Sequence, residues 1–384
     1  MSASGVPNKE KRRTKSRSTQ ASASSMDPPL HQSRPPMSVS GVSMEEKRRT
    51  KSLMPKPPRR SKVALDANGR PVDGIRRADV IEYYKHSDGS IYSQTDFLSK
   101  LYRLHDTNET GLEPMMRSEP SDGCSMNGRA CEKHANCTMM QIFSLKLAYP
   151  PAADQVKVYG FMAVRDTRDH LRNYIFNRTR DDPFIVEQED GFIQLSGPKR
   201  GIWWYDKQLV EFDMRIKRGE NEADDLQLID GAVWFYDGCS PHAQVLTQRI
   251  DGDYGSVDIS YALLQLAMEA TVQIAVSELD RDTSLLVMAF YVSDLLHQEI
   301  QLFDGVIPAD AAAGGADSYE LDKHVVAASR HTKLALQLRI RSLDDDGDVW
   351  RYCLSPASAH GTDDFSFALS FATIDVKISW STLD

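Results

Sequence analysis

Val210-Glu211-Phe212-Asp213-Met214-Arg215-Ile216-Lys217 alternates without a break between apolar and charged side chains. Val210, Phe212, Met214 and Ile216 fall on one side of an extended chain, and Glu211, Asp213, Arg215 and Lys217 on the other. That pattern predicts an antiparallel strand with one face on a core and one in water. It recurs where Val156, Val158, Met162 and Val164 alternate with Lys157, Tyr159 and Arg165. It recurs again where Leu334, Leu336, Leu338 and Ile340 alternate with Lys333, Gln337, Arg339 and Arg341. Residues 232–236 and 285–292 are apolar on both faces and read as central strands under other structure. Turn residues such as Asp190-Gly191, Asp251-Gly252 and Asp346-Gly347 separate the runs. About a dozen strands result, and the expected fold is mainly β, an antiparallel sandwich or barrel-like domain. Residues 261–269 fit helix and strand alike. Near the C-terminus the apolar parity changes from Phe365, Phe367, Leu369 and Phe371 to Ile374, Val376, Ile378 and Trp380. One residue of slip would turn every side chain over, so a bulge or sharp bend is expected at 371–373.

Working outward, three regions follow: an arm at 1–62, a linker with one or two short helices at 63–138, and the β domain at 139–384. The chain of 384 residues has a net charge of −9, unevenly spread. Residues 1–62 hold 15 Lys and Arg against 4 Asp and Glu, a charge of +11 that leaves −20 on the rest. The arm is rich in Ser and Pro and has almost no aromatic or β-branched residues, so it is expected to be disordered. It is also duplicated: MSASGVPNKEKRRTKS at 1–16 and MSVSGVSMEEKRRTKS at 37–52 agree at 12 of 16 positions. Lys11, Arg12 and Arg13, and again Lys47, Arg48 and Arg49, form basic clusters of the kind that localisation receptors or anionic surfaces read. The acidic remainder repels polyanions, so any such contact is expected to run through the arm alone.

Within the linker, a short helix is expected at 78–85 and a better one at 93–105. Ser93 and Asp96 give the second a cap-like start, and Phe97, Leu98, Leu101 and Leu104 share a face that would pack on the β domain. Cys124, Cys131, His134 and Cys137 then crowd four soft ligands into 14 residues. Zinc sites usually space their ligands as two separated pairs, so incidental loop cysteines are the preferred reading, with zinc and a disulfide formed in an oxidising state as the alternatives, and no metal or cofactor is expected. The five cysteines are few. The first 26 residues lack the apolar core of a secretory signal. Reduced thiols in cytoplasm or nucleus are therefore expected. The Ser- and Arg-rich start keeps organelle targeting open, and no apolar run approaches the ~20 residues of a membrane span.

The strings MQIFSLKLAYP (140–150), VYGFMAVRD (158–166), LRNYIFNRTRDDPF (171–184), LSGPKRGI (195–202), LVEFDMRIK (209–217) and DDLQLIDGA (224–232) carry a resemblance. Together they resemble a plant family expanded in grasses, the domain-of-unknown-function family 6598, over about residues 139–384. The resemblance implies no chemistry of its own. Some similar domains are joined to ribosome-inactivating N-glycosidase domains, which implies a defence or stress setting. An N-glycosidase needs Glu-x-x-Arg on a helix. The one tempting match, Glu278-Leu279-Asp280-Arg281, has Leu and Asp where small residues belong and reads as a polar turn.

Residues 196–201 offer a second candidate. Lys199 and Arg200, with Trp203 and Trp204 just beyond, could serve an anion or a partner, although a hairpin loop with solvated charges is the plainer reading. Asp344-Asp345-Asp346-Gly347-Asp348 looks like part of a calcium loop, but that register puts Ser342 and Cys353 at ligand positions, so an acidic turn is preferred. No His motif suggests a nucleophile. The expected function is a non-enzymatic module for a protein partner or small ligand. The alternative is an enzyme, of the rRNA N-glycosidase type or another hydrolase, with a site assembled from distant strands. A pocket joining titratable side chains would favour the enzyme, and a flat aromatic patch the binder.

Overall fold

The computed structural model describes residues 74–383, apart from 122–123, 125–132, 149–154, 188, 206, 237–242, 294–295, 312–317 and 345–346. The basic clusters of the arm therefore lie outside the described residues, as do Cys131, Asp345 and Asp346.

Nineteen strands are present among the described residues. They are β1 (Arg76–Arg77), β2 (Cys137–Ala148), β3 (Gln155–Arg165), β4 (Asn173–Arg178), β5 (Phe184–Glu187), β6 (Phe192–Ile193), β7 (Ile202–Trp203), β8 (Lys207–Ile216), β9 (Leu226–Tyr236) and β10 (Leu246–Asp251). The rest are β11 (Ser256–Ser277), β12 (Thr283–Val292), β13 (Glu299–Ile307), β14 (Tyr319–Glu320), β15 (His324–Ser329), β16 (Lys333–Ser342), β17 (Val349–Pro356), β18 (Gly361–Ala368) and β19 (Thr373–Ser381). Four of them (β1, β6, β7, β14) are two-residue pairings too short to leave a periodic signal, which accounts for part of the excess over a dozen.

Two cores share one spine. Strands β3, β4, β5, β8 and β9 form one antiparallel sheet, and β12, β13, β16 and β17 another. The 22-residue β11 runs through a third sheet, pairing β10 and β2 along its first half and β15, β14 and β19 along its second. Val257, Ile259, Tyr261 and Leu263 of β11 pack into a core with β3, β8 and β9. Leu264, Met268, Ala270 and Val272 pack into a second core with β12 and β16. Between them, Tyr261 to Leu264 are buried on both faces. Among the described residues no sheet closes into a barrel.

Several expectations change. Residues 78–85 make no helix; Val80 bridges Val233 of β9 instead. The second helix is shorter than 93–105, with α1 at Ser90–Ser93 and α2 at Phe97–Leu101. Asp96 caps α2 by accepting the Ser99 amide at 2.8 Å. Leu104 is buried but Phe97 is 71% exposed, because the chain leaves the helix before a full apolar face can form. Residues of this segment, Tyr84, Ile91, Tyr102 and Leu104, form a small third core with Leu209 and Ala232. That core covers the charged side of β8, so Glu211 is buried rather than solvated. The parity change at 371–373 is a chain reversal: Ala368 pairs Thr373, and the Leu369 amide donates to the Ala372 carbonyl at 2.8 Å. Strand β12 is central in its sheet, but its outer face is not deeply covered, and Val292 is 52% exposed.

Candidate functional site

Buried charges draw the eye first. Glu211 accepts from Arg165 at 2.8 Å and from Arg172, all three buried. Burial alone would favour its neutral form, but the two guanidinium groups outweigh that and hold its carboxyl below the usual carboxylate range. Arg165 also donates to the carbonyls of Tyr102, Asp106 and His170. The cluster therefore ties residues 102–108 and 170 to β3 and β8. Its chemistry is that of a staple.

The sequence-predicted anion loop joins a second such cluster. Arg200 is 1% exposed, and its guanidinium meets Asp166 in a two-pronged pair at 2.7 and 3.0 Å. It also donates to Thr110 and to the Gly201 carbonyl. Arg200 is thus spent on its own protein and presents no charge to an anion. Lys199 pairs with Glu113 at 2.6 Å. Trp204 is buried, while Trp203 is half-buried under the Arg168 guanidinium. Nearby, Glu269 of β11 accepts the amides of Gly201 at 2.6 Å and Met115 at 3.0 Å. Burial pushes its carboxyl up, against the opposing pull of those amides and Arg200. Sequence reading missed Asp166, Glu211 and Glu269. Only Glu269, a carboxylate in the otherwise largely apolar run 261–276, left a signal; Asp166 follows β3 in a polar turn, and Glu211 looks like one more solvated charge of an alternating strand.

Glu278 and Arg281 lie in the turn between β11 and β12, where Glu278 accepts the Thr373 hydroxyl. Ser342 is buried at the end of β16, and burial pushes the Cys353 thiol of β17 up to about 12. Of the four soft ligands, Cys124 and His134 come together, with Sγ 3.3 Å from Nδ1. Cys124 is disulfide-bonded, contrary to the reduced thiols expected from the sequence. Cys137 lies on β2, in register with Ala267 of β11.

Concave space occurs elsewhere. A cavity of about 790 Å3 opens where β11 bulges. The register against β2 shifts between Leu264 and Ala267, which leaves Gln265 and Leu266 outside the ladder. Leu266 takes φ 49°, a left-handed conformation that bulky residues avoid. Leu264, Tyr291, Val292 and Leu296 give the cavity an apolar wall, and Gln265, His297 and His331 add polar groups. The Tyr291 hydroxyl is committed to the Ala327 carbonyl at 2.7 Å, and the Thr332 hydroxyl to the Ser329 carbonyl at 2.7 Å. A second cavity of about 720 Å3 is polar, edged by Arg77, Asp79, Glu82, Lys85, Asp251 and Asp253. A third, of about 390 Å3, lies between Phe365, Lys377 and Lys323. The buried Asp166, Glu211 and Glu269 line none of the three, and Asp230, which lines the second, is held by the His86 and Ser87 amides and the Ser87 hydroxyl. Trp350, Tyr352 and Leu354 project from β17 with 42–64% exposure and form an open aromatic strip on the outer face of its sheet.

The model of a family described as "Domain of unknown function (DUF6598)" matches residues 139–378. No curated protein matches. Among solved structures, human GIVD cytosolic phospholipase A2 matches at 10% identity and a TM-score of 0.22. The same enzyme in complex with methyl gamma-linolenyl fluorophosphonate matches at 9% identity and a TM-score of 0.22. Each match covers 65% of this chain but only 33% of the phospholipase, and likeness at that score carries no argument.

Proposed function

The chain belongs to the DUF6598 family, a description that assigns no chemistry, and we propose that its β domain is a non-enzymatic binding module for a compact, mainly apolar ligand. The ligand sits in the cavity beside the β11 bulge. The observation that carries this reading is the bulge itself. It costs a left-handed Leu266 and an interrupted ladder, yet it sits where a cavity of ligand size opens. Aliphatic and aromatic walls supply the affinity, and the imidazoles of His297 and His331 orient one polar or acidic group of the ligand. A hydrolase would need an activated nucleophile there. The hydroxyls of Ser293 and Thr332 instead hold backbone groups, Ser293 accepting the Leu296 amide at 3.1 Å.

The probe 1-anilinonaphthalene-8-sulfonate, an aromatic anion, tests the proposal by fluorescence titration. Saturable one-to-one binding is expected. Val292→Trp should abolish it without lowering the melting temperature, because an exposed strand residue tolerates an aromatic that fills the cavity mouth. Undiminished binding in that variant sinks the assignment of the site.

A further inference from the structure

The spacing of Cys124, Cys131, His134 and Cys137 argues against a metal, but the fold assembles a different set. Cys124, His134 and His360 bring one ligand atom each to within 4.8 Å of one another. His360 is 226 positions from His134 in sequence, on the turn between β17 and β18. The two imidazoles lie 4.7 Å apart between ring centres. From these atoms we propose a soft-metal site, suited to Zn2+, that becomes competent when the Cys124 disulfide is reduced.

Three observations converge. The His134 Nε2 lies 3.1 Å from the Glu119 carbonyl, which can only accept, so Nε2 carries the proton. Nδ1 then turns its lone pair on the sulfur. A backbone carbonyl fixing the far nitrogen is how metal-binding histidines are usually oriented. The Sγ–Nδ1 distance of 3.3 Å is close to the roughly 3.5 Å between two ligands of a tetrahedral zinc ion. Finally, the Ser121 amide donates to the Cys124 sulfur at 3.2 Å, which favours a thiolate. The segment is already docked beside the turn, with the Gly361 amide donating to the Ser118 carbonyl at 2.7 Å. Little of the chain needs to move.

The chemistry balances simply. A dithiol reductant gives two electrons and two protons to the Cys124 disulfide, the S–S bond breaks, two protein thiols form, and the reductant leaves as its own disulfide. Metal entry then displaces the Cys124 thiol proton to water. Cys124, His134 and His360 supply three ligands, and water completes the tetrahedron. The ion would clamp Cys124 and His134 to the β17–β18 turn only under reducing conditions.

The test uses the full chain, reduced with a phosphine under nitrogen and titrated with Co2+ and then Zn2+. One equivalent of cobalt should give the visible bands of tetrahedral coordination and a near-ultraviolet thiolate charge-transfer band, and zinc should displace it. His360→Asn should weaken zinc binding at least tenfold, and Cys124→Ser should remove the charge-transfer band. Circular dichroism confirms that each variant is folded; His360 is only half-buried, so that variant remains informative even if Cys124→Ser fails to fold. Zinc affinity unchanged in His360→Asn would assign the metal to other cysteines and overturn the proposal. Equal uptake before and after reduction would overturn the redox control, and no cobalt uptake by the reduced chain would overturn the site.

Discussion

His324 is a residue at which acid should be felt. It opens β15 opposite Val272 of β11, and its Nε2 is buried without a hydrogen-bond partner. Burial pulls its pKa from 6.5 to about 4, against a weaker upward pull from Asp322. The unfolded chain therefore binds a proton on this residue between pH 6.5 and about 4 while the native chain does not. Stability is whole above pH 6.5 and falls as the pH drops through that window, by at most about 3.4 kcal/mol at 1.36 kcal/mol per pH unit. His324→Phe keeps the ring volume and removes the proton. Urea midpoints at pH 7 and pH 5 should differ clearly in the parent and much less in the variant. An equal acid shift in both would place the sensitivity elsewhere. Glu211 acts lower: its depressed pKa gives stability above the unfolded value, which is lost as pH falls through the folded one.

Strand β11 explains both what the sequence disclosed and what it hid. The alternation at 209–217, 156–164 and 333–341 each became a strand, β8, β3 and β16, because a strand on one core shows a period of two. Residues 261–269 stayed ambiguous because Tyr261 to Leu264 lie between two cores, and a strand buried on both faces has no period to show. The bulge then breaks the parity at Gln265 and Leu266, just where the candidate cavity opens. Arg200 was misread for a related reason: a lysine and arginine in a Gly- and Pro-rich loop look solvated until the partner carboxylate, 34 positions away, is placed beside them. The left-handed Leu266 is open to a direct test. Its side chain is 49% exposed, and its backbone carbonyl is held by the Arg330 amide at 2.9 Å. Asn tolerates that conformation better than Leu does, so Leu266→Asn should stabilise the domain by about 0.5–1 kcal/mol while leaving dye binding intact. A loss of stability would mean that the leucine makes packing contacts worth more than the strain it carries.

At the scale of the whole molecule, the charge division seen in the sequence places the acidic part on a domain whose buried cations are internally paired. Arg165, Arg172, Arg200 and Arg249 are buried together with Asp166, Glu211, Asp230 and Glu269, four cations against four carboxylates, so the buried charges cancel and the net acidity stays on the surface. The same domain has two cores but one spine. Val257, Ile259, Tyr261 and Leu263 serve one core, and Leu264, Met268, Ala270 and Val272 the other, along a single continuous strand. Neither core can open fully without withdrawing β11 from both. Unfolding should therefore be one cooperative transition rather than two. Leu338→Ala, at the centre of β16 and far along the chain from the first core, should cost about 2–5 kcal/mol. In native-state hydrogen exchange, the slowest amides of β3 and β8 should lose protection by the same amount as those of β12 and β16. If the amides of β3 and β8 kept their protection, the cores would be independent, and β11 would be a hinge between two domains and not the spine of one.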